Sequence, residues 1–223
     1  MIVSFSGIDG AGKSTQISAL QEWLGQGGVR VKLLTFWDDV VAFPRFREFM
    51  SHAAFKGDKG IGTPEKPLHR RDKNVTSWPV SVMRFGLYLA DAVNLCRAVR
   101  GIRKSGTDVV IFDRYIYDEL ANLPLNRWLA RVFIRFLLKF VPKPDIAYLI
   151  DADPVAARTR KPEYPLDFLR SNREAYLMLS RLTGAITVIE LLPIEIAELK
   201  VKEAFLQKLP LPEDSLSRLP VLP

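Results

Sequence analysis

Eight residues near the start of the chain, Gly7-Ile8-Asp9-Gly10-Ala11-Gly12-Lys13-Ser14, match the pattern G-x-x-x-x-G-K-[ST] in full. No other stretch narrows the fold as much. In such a loop the backbone wraps around a phosphate and aims successive N–H groups inward, and the helix that follows adds its positive end. Side chains at Gly10 or Gly12 would obstruct that approach. The surroundings agree: residues 1–6 are short and apolar, as a buried strand requires, and Ile17, Leu20 and Leu24 then recur at helical spacing. Gly25, Gly27 and Gly28 stop that helix. Gly7, Ile8, Asp9, Gly10, Ala11, Gly12, Lys13, Ser14 and Thr15 are therefore the expected nucleotide-phosphate-binding set. Lys13 would reach the β/γ-phosphates and the Ser14 hydroxyl would ligate Mg2+. The competing reading is a glycine-rich turn with a solvated lysine.

The rest of the chain repeats one alternation. Short Val/Ile-rich runs at 31–36, 109–112, 146–150 and 186–189 are separated by long helical patterns at 80–104, 127–140, 166–182 and 194–206. Strands of that composition suit a parallel sheet covered on both faces, so the fold class is α/β with crossover connections. At 223 residues, 48% hydrophobic and 26% charged, the chain can bury a large core and is not mainly disordered. A single domain over 1–208 is expected, with an insertion or loop at 51–78 and a proline-rich tail at 209–223. The lone Cys96 allows no internal disulfide, which favours a reduced, cytoplasmic setting. The first residues do not read as a signal peptide, and no run approaches the ~18 apolar residues of a membrane span. The net charge of +7 favours an anionic partner without choosing among nucleotide, nucleic acid and lipid. No zinc pattern or RNA-binding aromatic signature points to nucleic acid.

Asp113-Arg114-Tyr115 follows the third strand directly. In an open parallel sheet, ligand-handling residues stand at the carboxyl ends of strands. Asp113 there would hold Mg2+ through water and Arg114 would grip a phosphate oxygen on the acceptor. The alternative is an ion pair that only closes a turn.

Residues 5–16 resemble the opening of thymidylate kinases, and Asp113-Arg114-Tyr115 resembles their DR-aromatic motif. Residues 144–154 are similar to their fourth strand and the turn into the lid, and 168–176 to the helix beyond it. The resemblance implies a three-layer P-loop NTPase fold with a five-stranded parallel sheet, helices on both faces and a short arginine-bearing lid at 153–166. It implies ATP and Mg2+ as cofactors and a nucleoside monophosphate as acceptor. Arg158 and Arg160 are then the lid cations for the transferring phosphoryl group, acting with Lys13 and Arg114, unless they belong to a solvated basic turn. Asp9 would face the acceptor's sugar, Tyr88 would stack on its base beside Asp91, and the adenine would rest near 190–193.

The acceptor side departs from that pattern. Ala92 stands where the family has a thymine-reading arginine, and Phe36-Trp37-Asp38-Asp39 replaces an arginine-rich turn, with Arg45 and Arg47 only later. Asp118 and Asn122 occupy places usually small-polar and tyrosine. Arg84 shares a helical face with Tyr88 and Asp91 and either fills the place of the missing arginine or lies on the surface. Asp38 keeps open a kinase of nucleosides or other small hydroxyl compounds, because a hydroxyl acceptor needs a base. A third reading is an ATP-binding protein with little catalysis. Arg127, Arg131, Arg135 and Lys139 recur every four residues opposite Trp128, Leu129, Val132, Phe133, Phe136, Leu137 and Phe140. That helix is either a core element, half of a homodimer contact, or a surface for anionic lipid.

Overall fold

A computed structural model describes residues 1–43, 47, 78–103 and 106–208. Five strands form one parallel sheet in the order β2-β3-β1-β4-β5. They are β1 (Ile2–Ser6), β2 (Val31–Thr35), β3 (Val109–Asp113), β4 (Ile146–Ile150) and β5 (Ile186–Ile189). Every residue of β1 and β4 is buried, because both faces of the sheet centre are covered and no polar alternation is needed. At the edge, Lys32 and Leu33 of β2 are exposed. Register is fixed by pairs such as Ser4↔Phe112 and Ser4↔Ala147, which place β1 between β3 and β4. The chain runs outward from β1 to β2, returns as β3, then crosses to β4 and β5. The carboxyl ends of β1, β3 and β4 thereby frame one crevice, as open parallel sheets do where the strand order reverses.

Among the described residues lie the helices α1 (Lys13–Gln26), α2 (Phe36–Asp39), α3 (Trp78–Arg103), α4 (Ile116–Leu120), α5 (Trp128–Phe140), α6 (Pro154–Arg160), α7 (Leu166–Thr183) and α8 (Ile194–Gln207). On one side α1 packs on α8, with Trp23 edge-on to Phe205 at 6.0 Å. Elsewhere α3 packs on α5 through Phe85 stacked on Phe133 at 4.2 Å. The second strand stops one residue short of its expected end because Phe36 opens α2, where Asp39 accepts a hydrogen bond from the Thr35 N–H at 2.8 Å. The expected insertion at 51–78 lies outside the described residues apart from Trp78, which begins α3, and the tail at 209–223 lies outside them entirely.

Helix α5 has two apolar stripes, and only one meets the body. Ala130, Ile134 and Leu137 are buried, whereas Trp128, Val132, Phe136 and Phe140 are at least half exposed. Positions 128 and 130 differ by about 200° around a helix, so both stripes cannot face inward. Val82, Leu89 and Val93 of α3 are likewise exposed. Among the described residues no helix is long and apolar enough to cross a membrane.

Candidate active site

The loop between β1 and α1 is shaped by its glycines. Gly7, Gly10 and Gly12 all have positive φ, at 143°, 81° and 91°. Their roles differ. A Cβ at Gly10 would collide with the carbonyl of Ala157 in α6, and one at Gly7 would collide with the Ile150 carbonyl at the end of β4. Around Gly12 nothing lies within 4 Å of such a Cβ, so that glycine serves the backbone conformation and borders open space. Lys13 folds back over the loop and donates to the carbonyls of Gly7 and Ile8, both at 3.0 Å. Burial, aided by the nearby Arg114 charge, lowers its ammonium pKa to about 8, against the opposing pull of Asp9, Asp118 and Asp113.

Two clefts meet at this loop. One, of about 400 Å³, is lined by Asp9, Lys13, Ser14, Asp113, Arg114, Arg160 and Lys161, among others. The other, of about 690 Å³, runs past Thr15 and Gln16 to the 190–194 segment, the place expected for the adenine. Arg160 borders both, so the clefts are neighbours along one path. The lid is a regular helix at this point, not a broken turn: Asp153 caps it by accepting the Ala156 N–H at 2.9 Å, and Pro154 opens its first turn. Helical spacing separates the two expected lid cations. Arg160 lines the clefts and Arg158, two residues earlier, does not, since two residues turn the helix by about 200°. Lys161 takes the second place in the smaller cleft.

The fit for Mg2+ rests on Asp113. Its Oδ1 is buried and has no hydrogen-bond partner among the described residues, and it borders the same cleft as the exposed Ser14. A hard oxygen pair of this kind suits an ion that keeps several waters and takes few protein ligands.

Arg114 adopts the left-handed conformation, φ 68°, unusual for a residue with a Cβ. Its Nη2 donates to Asp9 at 2.5 Å and its Nη1 to Asp118 at 3.0 Å. Asp118 also accepts from Tyr176 Oη and Ser6 Oγ, both at 2.6 Å.

The other acceptor-side residues form a second cluster. Asp91 is fully buried and accepts the Ala42 N–H at 2.7 Å and Arg47 Nη2 at 2.6 Å. Burial raises its pKa, and Arg47 and the Ala42 N–H oppose the rise. Arg47 also donates to Glu119 at 3.1 Å and lies 6.0 Å over the ring of Tyr88. Tyr88 itself is buried, with its pKa pushed well up by burial and then by Glu119. Arg84 is buried rather than on the surface, and donates to the Asn122 carbonyl at 3.0 Å. Asp38 is exposed in α2, just beyond the carboxyl end of β2, and lines neither of the two clefts at the phosphate loop.

Glu119 and Tyr176 escape sequence reasoning as site residues; Lys161 is visible there only as a third cation beside Arg158 and Arg160, and Arg47 only as a late arginine. Glu119 follows Asp118 on the helix after the Asp-Arg motif, a position that invites attention. Nothing in the local sequence ties Arg47 to Asp91, 44 residues away.

The fold and this site define a P-loop nucleotide kinase, a phosphotransferase class. Its relatives are thymidylate kinases. A probable thymidylate kinase of Thermococcus kodakarensis is 29% identical over 202 residues, covering 85% of this chain and 88% of its own. One from Methanosphaera stadtmanae is 26% identical over 87% of this chain and 91% of its own. The thymidylate kinase of Bifidobacterium longum subsp. infantis is 28% identical over 81% and 74%. The crystal structure of thymidylate kinase from Ehrlichia chaffeensis superposes with a TM-score of 0.57 at 19% identity, covering 92% of this chain and 98% of that one. No family profile matches the chain.

Proposed function

We propose that this chain transfers the γ-phosphoryl group of ATP to dTMP, giving dTDP and ADP in nucleotide biosynthesis. The observation that carries the reading is one cleft holding both halves of the chemistry. The glycine loop, Lys13 and Arg160 lie on the donor side and Asp113 with Arg114 on the acceptor side. Relatives named thymidylate kinase across most of the chain supply the acceptor.

In this reading the loop N–H groups and Lys13 hold the β- and γ-phosphates, and Gly7 to Thr15 make up the donor cradle. The Arg114 guanidinium orients the acceptor phosphate, one of whose oxygens attacks the γ-phosphorus as the bond to the β-phosphate oxygen breaks. Arg160, with Lys161, meets the charge that spreads over the equatorial oxygens, and α6 keeps water from the site. Arg158, half-buried and absent from the lining of both clefts, takes no part in this step. Ser14, and Asp113 through water, would hold Mg2+, which when bound would neutralise charge on the phosphates. Tyr88, Asp91 and Arg84 shape the acceptor pocket, with Asp9 beside the sugar, and the adenine lies against the 190–193 segment.

Coupled ADP release with Mg-ATP tests this against nucleoside monophosphates, nucleosides and water alone. Turnover that depends on dTMP is expected. Turnover with nucleosides only would transfer the chemistry to Asp38 as base, and ATP binding without any acceptor-dependent turnover would leave a nucleotide-binding protein.

The exposed apolar stripes of α3 and α5 support pairing of two copies, with Trp128, Val132, Phe136 and Phe140 meeting Val82, Leu89 and Val93 across the contact. Light scattering during gel filtration should return twice the 25.3 kDa chain mass, and Phe136→Glu should return the monomer. Small nucleotides as ligands and the single Cys96 favour a cytoplasmic enzyme without a nucleic-acid partner.

A further inference from the structure

The carboxylate of Asp118 is buried and every direction in which it accepts is used. Oδ2 takes the Ser6 hydroxyl of β1 at 2.6 Å and the Tyr115 N–H at 3.0 Å. Oδ1 takes the Tyr176 hydroxyl of α7 at 2.6 Å and Arg114 Nη1 at 3.0 Å. Burial, and then the charge of Asp118, pushes the Tyr176 pKa well above its ordinary value, so the phenol donates throughout the working pH range. Arg114 Nη1 also reaches Tyr176 Oη at 3.4 Å, and Nη2 donates to Asp9 at 2.5 Å.

A guanidinium has five N–H donors in a fixed fork. Nη1 is spent on Asp118 and Tyr176, and one hydrogen of Nη2 on Asp9. The Nε–H and the second Nη2–H remain, and Arg114 borders the smaller cleft, so both donors are available to oxygens of a phosphate there. The left-handed backbone at Arg114 adds a reason for such anchoring, because strained conformations persist only where the surroundings over-determine them. A small polar side chain at 118 could not hold four donors at once.

We propose that Asp118 is the positioning residue for Arg114: it fixes which edge of the guanidinium faces the acceptor phosphate, and through Tyr176 it ties that aim to α7, the helix after the lid. The rate measurements below rest on the kinase reading given above; a second readout does not.

Asp118→Asn, Tyr176→Phe, Arg114→Ala and the Asp118→Asn/Arg114→Ala double variant are compared in steady-state kinetics, thermal melting and 15N NMR of the Arg114 Nε–H. Asp118→Asn should lower kcat by about 10- to 100-fold and raise KM for dTMP, with KM for ATP within about twofold. Tyr176→Phe, which removes one hydroxyl and is the safer variant for folding, should cost about three- to tenfold in kcat. In the Arg114→Ala background, Asp118→Asn should cost nothing further, because it acts through an arginine no longer present. Lower melting temperatures with unchanged kinetics, or additive losses in the double variant, would overturn the proposal. If the unsubstituted protein shows no turnover with dTMP, the kinase reading fails by itself. The Nε–H signal still decides this proposal: its exchange should quicken at least tenfold in Asp118→Asn or Tyr176→Phe, and unchanged exchange in both sinks it.

Discussion

The two sides of the crevice are built from different materials. On the donor side the work is done by backbone: three glycines of positive φ, an open space beside Gly12, and a lysine resting on two carbonyls of its own loop. On the acceptor side it is done by charged side chains already paired with one another. Arg47 joins Asp91 and Glu119, and Arg114 joins Asp9 and Asp118. A cradle of backbone costs little to keep empty. A buried ion pair is different, because removing one partner strands the other in a medium that solvates it poorly. Substitutions on the donor side should therefore fall on rate, as should those that free Arg114, whereas substitutions in the Arg47–Asp91–Glu119 cluster should fall on stability first.

The sharpest break would come from Lys13. Lys13→Ala should lower kcat by about a thousandfold, the scale for losing a principal cation at a transferring phosphoryl group. Its melting temperature should hold or rise, since a buried ammonium leaves. A matching loss of stability would dissolve the contrast. Asp91→Ala should do the reverse in urea titrations, losing about 3 kcal/mol of unfolding free energy by leaving the Ala42 N–H without its acceptor and Arg47 with Glu119 as its remaining carboxylate. A loss under about 1 kcal/mol would show that the cluster is not closed in solution.

The lid sharpens the comparison from within. Arg160→Ala should reduce kcat by about 30-fold and Arg158→Ala by no more than about twofold, since only the former side chain borders the clefts. Equal effects would mean that α6 turns when the site fills. The smallest effect concerns pH. Empty Lys13 loses its proton near pH 8, whereas in the unfolded chain it keeps it to higher pH. The unfolded state thus binds more protons between about pH 8 and the ordinary lysine value, so the empty protein gains stability as pH rises through that window. ATP needs the ammonium form. Its dissociation constant, followed by calorimetry, should stay flat below pH 8 and rise by up to about tenfold per unit above it. A flat profile to pH 9.5 would mean that the lysine is not buried when the loop is empty.

The same contrast decides what the sequence makes legible. The donor loop is a spacing of residue types in one short stretch, each imposed by a local need for positive φ or close approach, so residues 7–14 announce it. The strands are legible for a similar reason: five short apolar runs admit few arrangements other than a covered parallel sheet. The acceptor-side pairs draw on residues 47, 88, 91, 114, 118, 119 and 176, brought together only by the crossovers of the fold. No local pattern marks Arg47 as the partner of Asp91 rather than a solvated arginine. Amphipathicity misleads in α5 because it counts apolar residues and not faces: the helix has two apolar stripes, and only tertiary contact tells which one is covered. In α6 the sequence supplies two arginines, and the turn of the helix selects between them.

The close approach of Gly10 to the Ala157 carbonyl reaches beyond this molecule. The loop and the lid helix share a boundary with no room for even one methyl group, so neither can drift alone over evolutionary time. A side chain gained at residue 10 requires a retreat of residues 154–160, and a lid transplanted from a relative fits only if its backbone bends away at the same place. Interchange between kinases of this kind should therefore move the two segments as a single cassette.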